Sequence, residues 1–325
     1  MAAALALAER GRGLTTPNPN VGCVIVNGAR VVGRGWTQPG GRPHAEAMAL
    51  AEAGGKSRGA TCYTILEPCA HESPRGPACS DLLVSAGVAR VVIALGDPDS
   101  RTDGSGIARL RVAGIEVVMD VGAAEARRAM AGFLTRQAHG RPLVTLKLAL
   151  SLDGAIARAD GSSRWITGRE ARAHAHLERA RHEAILVGRG TLEADAPALD
   201  VRLAGLEGRS PGRWVLSSDA GTSDVAGWGR MSSPADIAML EGVDHLLIDG
   251  GAATAAAFLT ADLIDRLLLY RAPILIGGGR TLPDIGLTDL GEAHGRWKLQ
   301  DARRLGSDRV EVYERARELR VQTHY

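Results

Sequence analysis

Apolar and polar positions alternate in short blocks along the whole chain, which predicts helices and strands in succession. Val21–Asn27 and Arg30–Trp36 are apolar runs flanking Asn27-Gly28, a hairpin signal. Ala2–Arg10 reads as an amphipathic first helix and Ala45–Ala53 as a second. Strands are expected at Ala60–Leu66, Val88–Leu95 and Ala113–Val118, with helices at Ser80–Ala86 and Ala123–Ala138. His139-Gly140-Arg141-Pro142 breaks that last helix, so a boundary is expected near residue 140, dividing the chain into 1–140 and 141–325. Beyond it, strands are predicted at Leu143–Leu150, Ala184–Val187, Arg213–Leu216, His245–Ile248, Arg266–Tyr270 and Arg309–Tyr313. Helices are expected near Glu170–His182 and Ala252–Thr260, and loops at Gly205–Gly212 and Asp219–Gly229. No repeat relates the two halves. The fold class is α/β in both.

A length of 325 residues suits two domains. The net charge of +2 implies no general basic field for nucleic acid. No apolar stretch is long enough to span a membrane, and no signal peptide is expected. Four cysteines, two with metal-ligand context, argue against a disulfide framework and fit a reducing cytoplasm. Cys23 and Cys62 read as core residues.

The chemistry concentrates in His44-Ala45-Glu46, Glu67-Pro68-Cys69 and Cys79. A histidine and two thiolates suit tetrahedral zinc and leave its fourth position for water, whose pKa the ion lowers. Glu46 is then free to shuttle protons. This is the pattern of the zinc-dependent nucleobase deaminases, H-x-E followed by P-C-x-x-C. Here nine residues, not two, separate the cysteines, in a Gly/Pro-rich loop carrying His71 and Arg75 that reads as a ligand-binding insertion. These residues alone leave the deaminated substrate open. The second half has no strand-linked G-x-G-x-x-G, and Gly277-Gly278-Gly279 is a weak signal.

Longer motifs make the chain resemble the bifunctional riboflavin-biosynthesis deaminase/reductases. They are Thr16-Pro-Asn-Pro-Asn-Val-Gly-Cys-Val-Ile-Val26, Pro43-His-Ala-Glu46, Thr64-Ile-Leu-Glu-Pro-Cys69 and Gly96-Asp-Pro98 in the first half. In the second they are Lys147-Leu-Ala-Leu-Ser-Leu-Asp-Gly154, Ser163-Arg-Trp-Ile-Thr167, Gly190–Leu199 and Ala272-Pro-Ile-Leu-Ile-Gly277. The resemblance implies a cytidine-deaminase-like α/β/α domain followed by a dihydrofolate-reductase-like domain. It implies zinc-dependent loss of the ring amine from 2,5-diamino-6-(5-phosphoribosylamino)pyrimidin-4(3H)-one, then NADPH reduction of the ribosyl group to ribityl. It adds Asn18, His71 and Arg75 as deaminase substrate contacts. For the dinucleotide it implies Ala149, Trp165, Thr191, Asp195, Ser218, Gly250 and Gly251. For the reductase substrate it implies Ser163, Arg179, Leu199, Arg202 and Asp249. It further implies a homo-oligomer, dimer or tetramer, working on small phosphorylated pyrimidines.

Three features depart from that pattern. Thr37 stands where the family commonly has histidine, the cysteine spacing is one residue longer, and Asp249 replaces a glutamate. Thr37 and Asp249 keep a second expectation alive, a deaminase whose reductase half is impaired.

Overall fold

The computed structural model describes residues 1–71, 74–219 and 225–317. It divides into two compact units, Met1–Arg141 and Pro142–Tyr325.

The first unit is a five-stranded sheet of order β2-β1-β3-β4-β5. Its strands are β1 (Gly22–Asn27), β2 (Arg30–Trp36), β3 (Thr61–Thr64), β4 (Arg90–Ile93) and β5 (Glu116–Val118). The β1–β2 hairpin and the β1–β3 pair are antiparallel, whereas β3, β4 and β5 run parallel. Among the described residues the α-helices that accompany them are α1 (Ala2–Ala8), α2 (Ala45–Ala53), α3 (Cys79–Ala86), α4 (Ser105–Val112), α5 (Ala123–Ala129) and α6 (Ala131–His139). The core joins Ile25, Ile65, Leu83, Ile93, Leu110 and Met130, all fully buried.

Small residues set how closely α2 approaches the sheet. Ala45, Ala49 and Ala53 face inward, and a Cβ on Gly33 or Gly35 would lie 2.1 or 2.0 Å from an α2 carbonyl oxygen. Backbone meets backbone there, so no other residue fits without moving the helix. This seats the N-terminus of α2, which begins at the zinc-ligand motif.

The second unit is an eight-stranded sheet of order β12-β13-β11-β6-β10-β7-β8-β9. The strands are β6 (Leu143–Leu150), β7 (Ala184–Gly188), β8 (Gly212–Leu216), β9 (Trp228–Met231), β10 (His245–Asp249), β11 (Arg266–Arg271), β12 (Trp297–Leu305) and β13 (Asp308–Arg315). From β11 to β9 all neighbours are parallel, and β12 and β13 form an antiparallel edge. The helices are α7 (Arg169–Arg179), α8 (Arg189–Asp195) and α9 (Ala252–Thr260). β7 and β10 are almost fully buried, as central strands of a parallel sheet should be, whereas β6 is half-buried at Leu143, Lys147, Ala149 and Leu150.

Several elements depart from the sequence reading. The helix expected over Ala123–Ala138 is two helices, broken at Met130 (φ −105°, ψ 18°), whose side chain is fully buried. α4 and α8 were not expected, nor were strands β9 and β12. β9 begins inside the predicted loop Asp219–Gly229, of which 220–224 lie outside the described residues. Both missed strands are sheet edges, and β12 exposes most of its charged sequence, so neither carries a clean period-two pattern. The helix near Glu170–His182 stops at Arg179, where it reaches the second cleft.

Candidate active sites

His44 is the N-cap of α2, Cys79 is the first residue of α3, and Cys69 follows the turn after β3. These three segments, far apart in the chain, bring the His44, Cys69 and Cys79 ligand atoms within 4.8 Å of one another. His44 Nδ1 lies 3.5 Å from Cys69 Sγ and 3.4 Å from Cys79 Sγ. Its other ring nitrogen, Nε2, meets the Asn18 side-chain amide at 2.9 Å. Such a contact on the far side of a ligating imidazole fixes the ring's orientation. Asn18 is itself tied to the Gly41 carbonyl at 2.9 Å.

The two sulfurs respond oppositely to their surroundings. Hydrogen bonding from Cys79, aided by His44, outweighs burial and lowers the Cys69 thiol to about 3. The same pairing, together with burial, pushes Cys79 up. Two thiols and an imidazole nitrogen that converge on one point are a donor set that fits a divalent cation able to stabilise both thiolates.

Glu46 lies in the first turn of α2 and is 3% exposed. Burial raises its carboxyl above the usual range, partly opposed by His44. Thr64 Oγ1 donates to Glu46 Oε1 at 3.0 Å and so orients it. His44, Glu46 and Cys69 open onto a pocket of about 210 Å³ that also contains Asn18, Thr37 and His71, with Cys79 buried behind them. Thr37 has a local structural role: its Oγ1 accepts from the Val21 N–H at 3.0 Å. Arg75 is not among the lining residues; it is exposed and donates to the Gly40 carbonyl at 2.6 Å.

The sequence reading passed over the device that holds the metal turn. Glu67 is buried, and its carboxylate accepts from the backbone N–H groups of Asp97 (3.2 Å), Gly104 (3.1 Å) and Ile107 (3.0 Å). Gly106 packs so tightly on the turn that a Cβ would sit 2.0 Å from the Pro68 carbonyl oxygen. α4 therefore clamps Glu67-Pro68-Cys69 from the side. Asp97, also missed, lines the pocket with a carboxyl raised to about 6, chiefly by burial. The Gly96-Asp-Pro98 motif was its available signal.

In the second unit a cleft of about 1550 Å³ lies at the carboxyl ends of the parallel strands, where open α/β sheets bind ligands. It exceeds the ordinary single-ligand range of roughly 300–1,000 Å³, leaving room for two molecules. The expected dinucleotide residues Ala149, Trp165, Thr191, Asp195, Ser218, Gly250 and Gly251 all line it. So do the expected substrate residues Ser163, Arg179, Leu199, Arg202 and Asp249. Gly251 caps α9, whose first-turn N–H groups suit a phosphate. Trp165 is 66% exposed, with Arg172 stacked 4.7 Å from its ring.

Asp249 meets two cations. Lys147 Nζ donates to Oδ1 at 2.9 Å and Arg179 Nη2 to Oδ2 at 2.7 Å. Burial opposes its ionisation, but Lys147 and Arg179 outweigh it and hold the carboxyl well below its usual range. Arg179 also donates to the Asp200 carbonyl at 3.3 Å. Lys147, quoted in a motif but not singled out, is thus the further charged residue at the centre of the cleft.

Comparison with known proteins follows the same division. Residues 1–95 match the cytidine and deoxycytidylate deaminase zinc-binding region, and residues 142–238 and 235–310 match the RibD C-terminal domain. The riboflavin biosynthesis protein RibD of Escherichia coli K12 is 39% identical over 95% of this chain and 96% of that protein. The chain belongs to the RibD family.

Solved structures of family members superpose over nearly the full length. RibD of Acinetobacter baumannii gives a TM-score of 0.85 at 34% identity, covering 97% of this chain and 98% of that one. The Thermotoga maritima diaminohydroxyphosphoribosylaminopyrimidine deaminase/5-amino-6-(5-phosphoribosylamino)uracil reductase gives 0.87 at 30%, covering 97% of each. The deaminase zinc-binding region falls in the first unit and the RibD C-terminal domain in the second, in the expected order. Among the described residues no helix is long and apolar enough to cross a membrane.

Proposed function

We infer that this chain is a bifunctional enzyme of riboflavin biosynthesis, a zinc-dependent pyrimidine deaminase joined to an NADPH-dependent reductase. The observation that carries the reading is the His44–Cys69–Cys79 triangle, its two cysteines buried and Glu46 two residues after the histidine, in a RibD family chain that also holds the strand-end cleft. The substrate is 2,5-diamino-6-(5-phosphoribosylamino)pyrimidin-4(3H)-one, and the second step reduces the ribosyl group of the uracil product to ribityl. Residues 1–140 carry the first activity and 141–325 the second.

His44, Cys69 and Cys79 would hold the zinc ion, which supplies Lewis acidity to activate water when bound. Glu46, desolvated and oriented by Thr64, holds and releases the proton that moves from water to the leaving amine. Asn18 and His71 sit in the pocket wall to position the pyrimidine. In the reductase half NADPH supplies the hydride. Gly250, Gly251 and the start of α9 receive its phosphates, with Ala149, Trp165, Thr191, Asp195 and Ser218 along the rest. Ser163, Leu199, Arg202 and the Lys147–Asp249–Arg179 cluster align the sugar with the cofactor, the main task left to the protein. The enzyme acts as a cytoplasmic homo-oligomer in this reading, which sedimentation of the full chain would check.

The deciding experiment is the product mass with and without NADPH. Amine-to-oxygen exchange without it, then a gain of two hydrogens with it, establishes both steps. Exchange alone leaves a deaminase with an impaired reductase, and no change in zinc-loaded protein overturns the reading.

A further inference from the structure

We propose that Arg189 binds the adenosine 2′-phosphate of NADPH and sets the preference of the reductase half for NADPH over NADH. The assignment deepens the reductase reading above and rests on it.

The strand ends define where that phosphate falls. The expected dinucleotide residues follow the spatial order of the sheet: Ala149 on β6, Gly250 and Gly251 after β10, Thr191 after β7 and Ser218 after β8. The nicotinamide end belongs beside the Lys147–Asp249–Arg179 cluster, carried by β6, β10 and α7. The linking phosphates belong at Gly251 and the first turn of α9. The adenosine then lies over the ends of β7 and β8, and its 2′-phosphate needs a cation there, for which a guanidinium fork is well shaped.

Arg189 occupies that place. It follows Gly188, the last residue of β7, and lines the cleft. A Cβ on Gly188 would lie 2.1 Å from Thr254 Oγ1, so the chain entering α8 runs against the first turn of α9. On its other side the guanidinium reaches the end of β8. Arg189 Nη1 lies 3.7 Å from Oδ2 of Asp219, the neighbour of Ser218, and 3.5 Å from Glu193 Oε1. All three side chains are half or more exposed. Ion pairs this long and this wet are weak, so a phosphate can take the guanidinium from them. Arg189 Nε and Nη2 make no hydrogen bond among the described residues. Ser218, exposed in the same lining, offers a hydroxyl that makes none either.

The other cations of the cleft are engaged or stand elsewhere. Lys147 and Arg179 hold Asp249, and Arg202 pairs with Asp200, whose carbonyl accepts from Arg179. Arg164 pairs with Asp195, and Arg172 donates to the Thr167 carbonyl. Arg280 donates to the Ala159 carbonyl. Arg169 follows Gly168, which bonds Asp308 at the start of β13, across β6 from β8.

Full-length wild type and R189A are titrated calorimetrically with 2′,5′-ADP and with 5′-ADP, which lacks the 2′-phosphate. Wild type should bind 2′,5′-ADP more tightly. R189A should lose roughly 10- to 100-fold of that affinity, the worth of one or two charge-assisted hydrogen bonds, with 5′-ADP little changed. The kcat/KM ratio for NADPH over NADH, measured with the deaminated substrate, should fall by the same factor. R189K should recover part of it. An equal loss of both nucleotides in R189A would overturn the assignment, because a contact to the linking phosphates or a structural role produces that pattern. A wild type without preference between the two would overturn it as well. Should R189A fold poorly, R189K and R189Q decide, because a 2′-phosphate contact orders them Arg, Lys, Gln in 2′,5′-ADP affinity alone. A wild type that binds neither NADPH nor 2′,5′-ADP sinks the reductase reading itself. A wild type that binds both, beside an R189A that discriminates equally well, sinks only the arginine.

Discussion

The two sites of this chain solve different problems and are built differently. In the first unit, three ligand atoms lie within 4.8 Å of one another beside a small pocket that the buried Glu46 also lines. In the second, twelve expected ligand residues spread along a broad cleft at the ends of parallel strands. Hydrolysis needs an electrophile and a proton carrier held at one point, so its residues are few and chemically distinctive. Hydride transfer brings its chemistry in with the cofactor, so the protein's part is positioning, distributed over many ordinary side chains.

Breaking the metal triangle should show the contrast most strongly. Removal of zinc, or H44A, should abolish ammonia release while leaving NADPH oxidation with the deaminated substrate in place. Loss of both activities in folded protein would mean the sites are not separable. E46Q comes next: it should retain zinc, by metal analysis, yet lower deamination by about 10²- to 10⁴-fold, the usual worth of a positioned acid–base group. Robust turnover by E46Q would remove the proton-shuttle role.

The reductase side is tested at Asp249. D249N leaves Lys147 and Arg179 facing each other without their carboxylate, a broken ion cluster that costs on the order of 3–5 kcal/mol when buried. The measurable outcome is a lower melting temperature of the second unit and weakened reduction, with deamination retained. Asp249 also predicts a pH dependence. Its folded carboxyl is depressed, so its contribution is full above the ordinary carboxylate range and is lost as pH falls toward the folded value. Acid unfolding of the wild type should therefore be steeper than that of D249N, and parallel curves would refute the cluster's role.

The smallest expected effect sharpens the comparison from the deaminase side. E67Q replaces a carboxylate that accepts three backbone N–H groups and should weaken zinc retention against a chelator about tenfold, as outer-shell changes do. Unchanged retention would show that α4 does not hold the cysteine turn.

Legibility followed the same divide. His44, Glu46, Cys69 and Cys79 were readable because metal chemistry restricts both residue type and order. Ala149 or Leu199 carries no chemical signature, so those positions came only from resemblance to a family. The edge strands β9 and β12 were invisible because β9 is only four residues long and β12 is exposed and charged along most of its length, so neither shows an alternating apolar face. α4 escaped for another reason: its first turn holds Gly106, and the acceptor for its N-terminal N–H groups is Glu67, distant in sequence.

By itself the sequence determined the α/β succession, the zinc chemistry and, through its longer motifs, the two activities, because periodicity and ligand type are local properties. Tertiary structure decided which charges meet. It put Asp249 between Lys147 and Arg179, turned Arg75 to a carbonyl outside the pocket, and set Arg189 beside the end of β8. Those outcomes depend on where separate segments cross, and on the desolvation that crossing imposes. Neither is written in the spacing of residues along one segment.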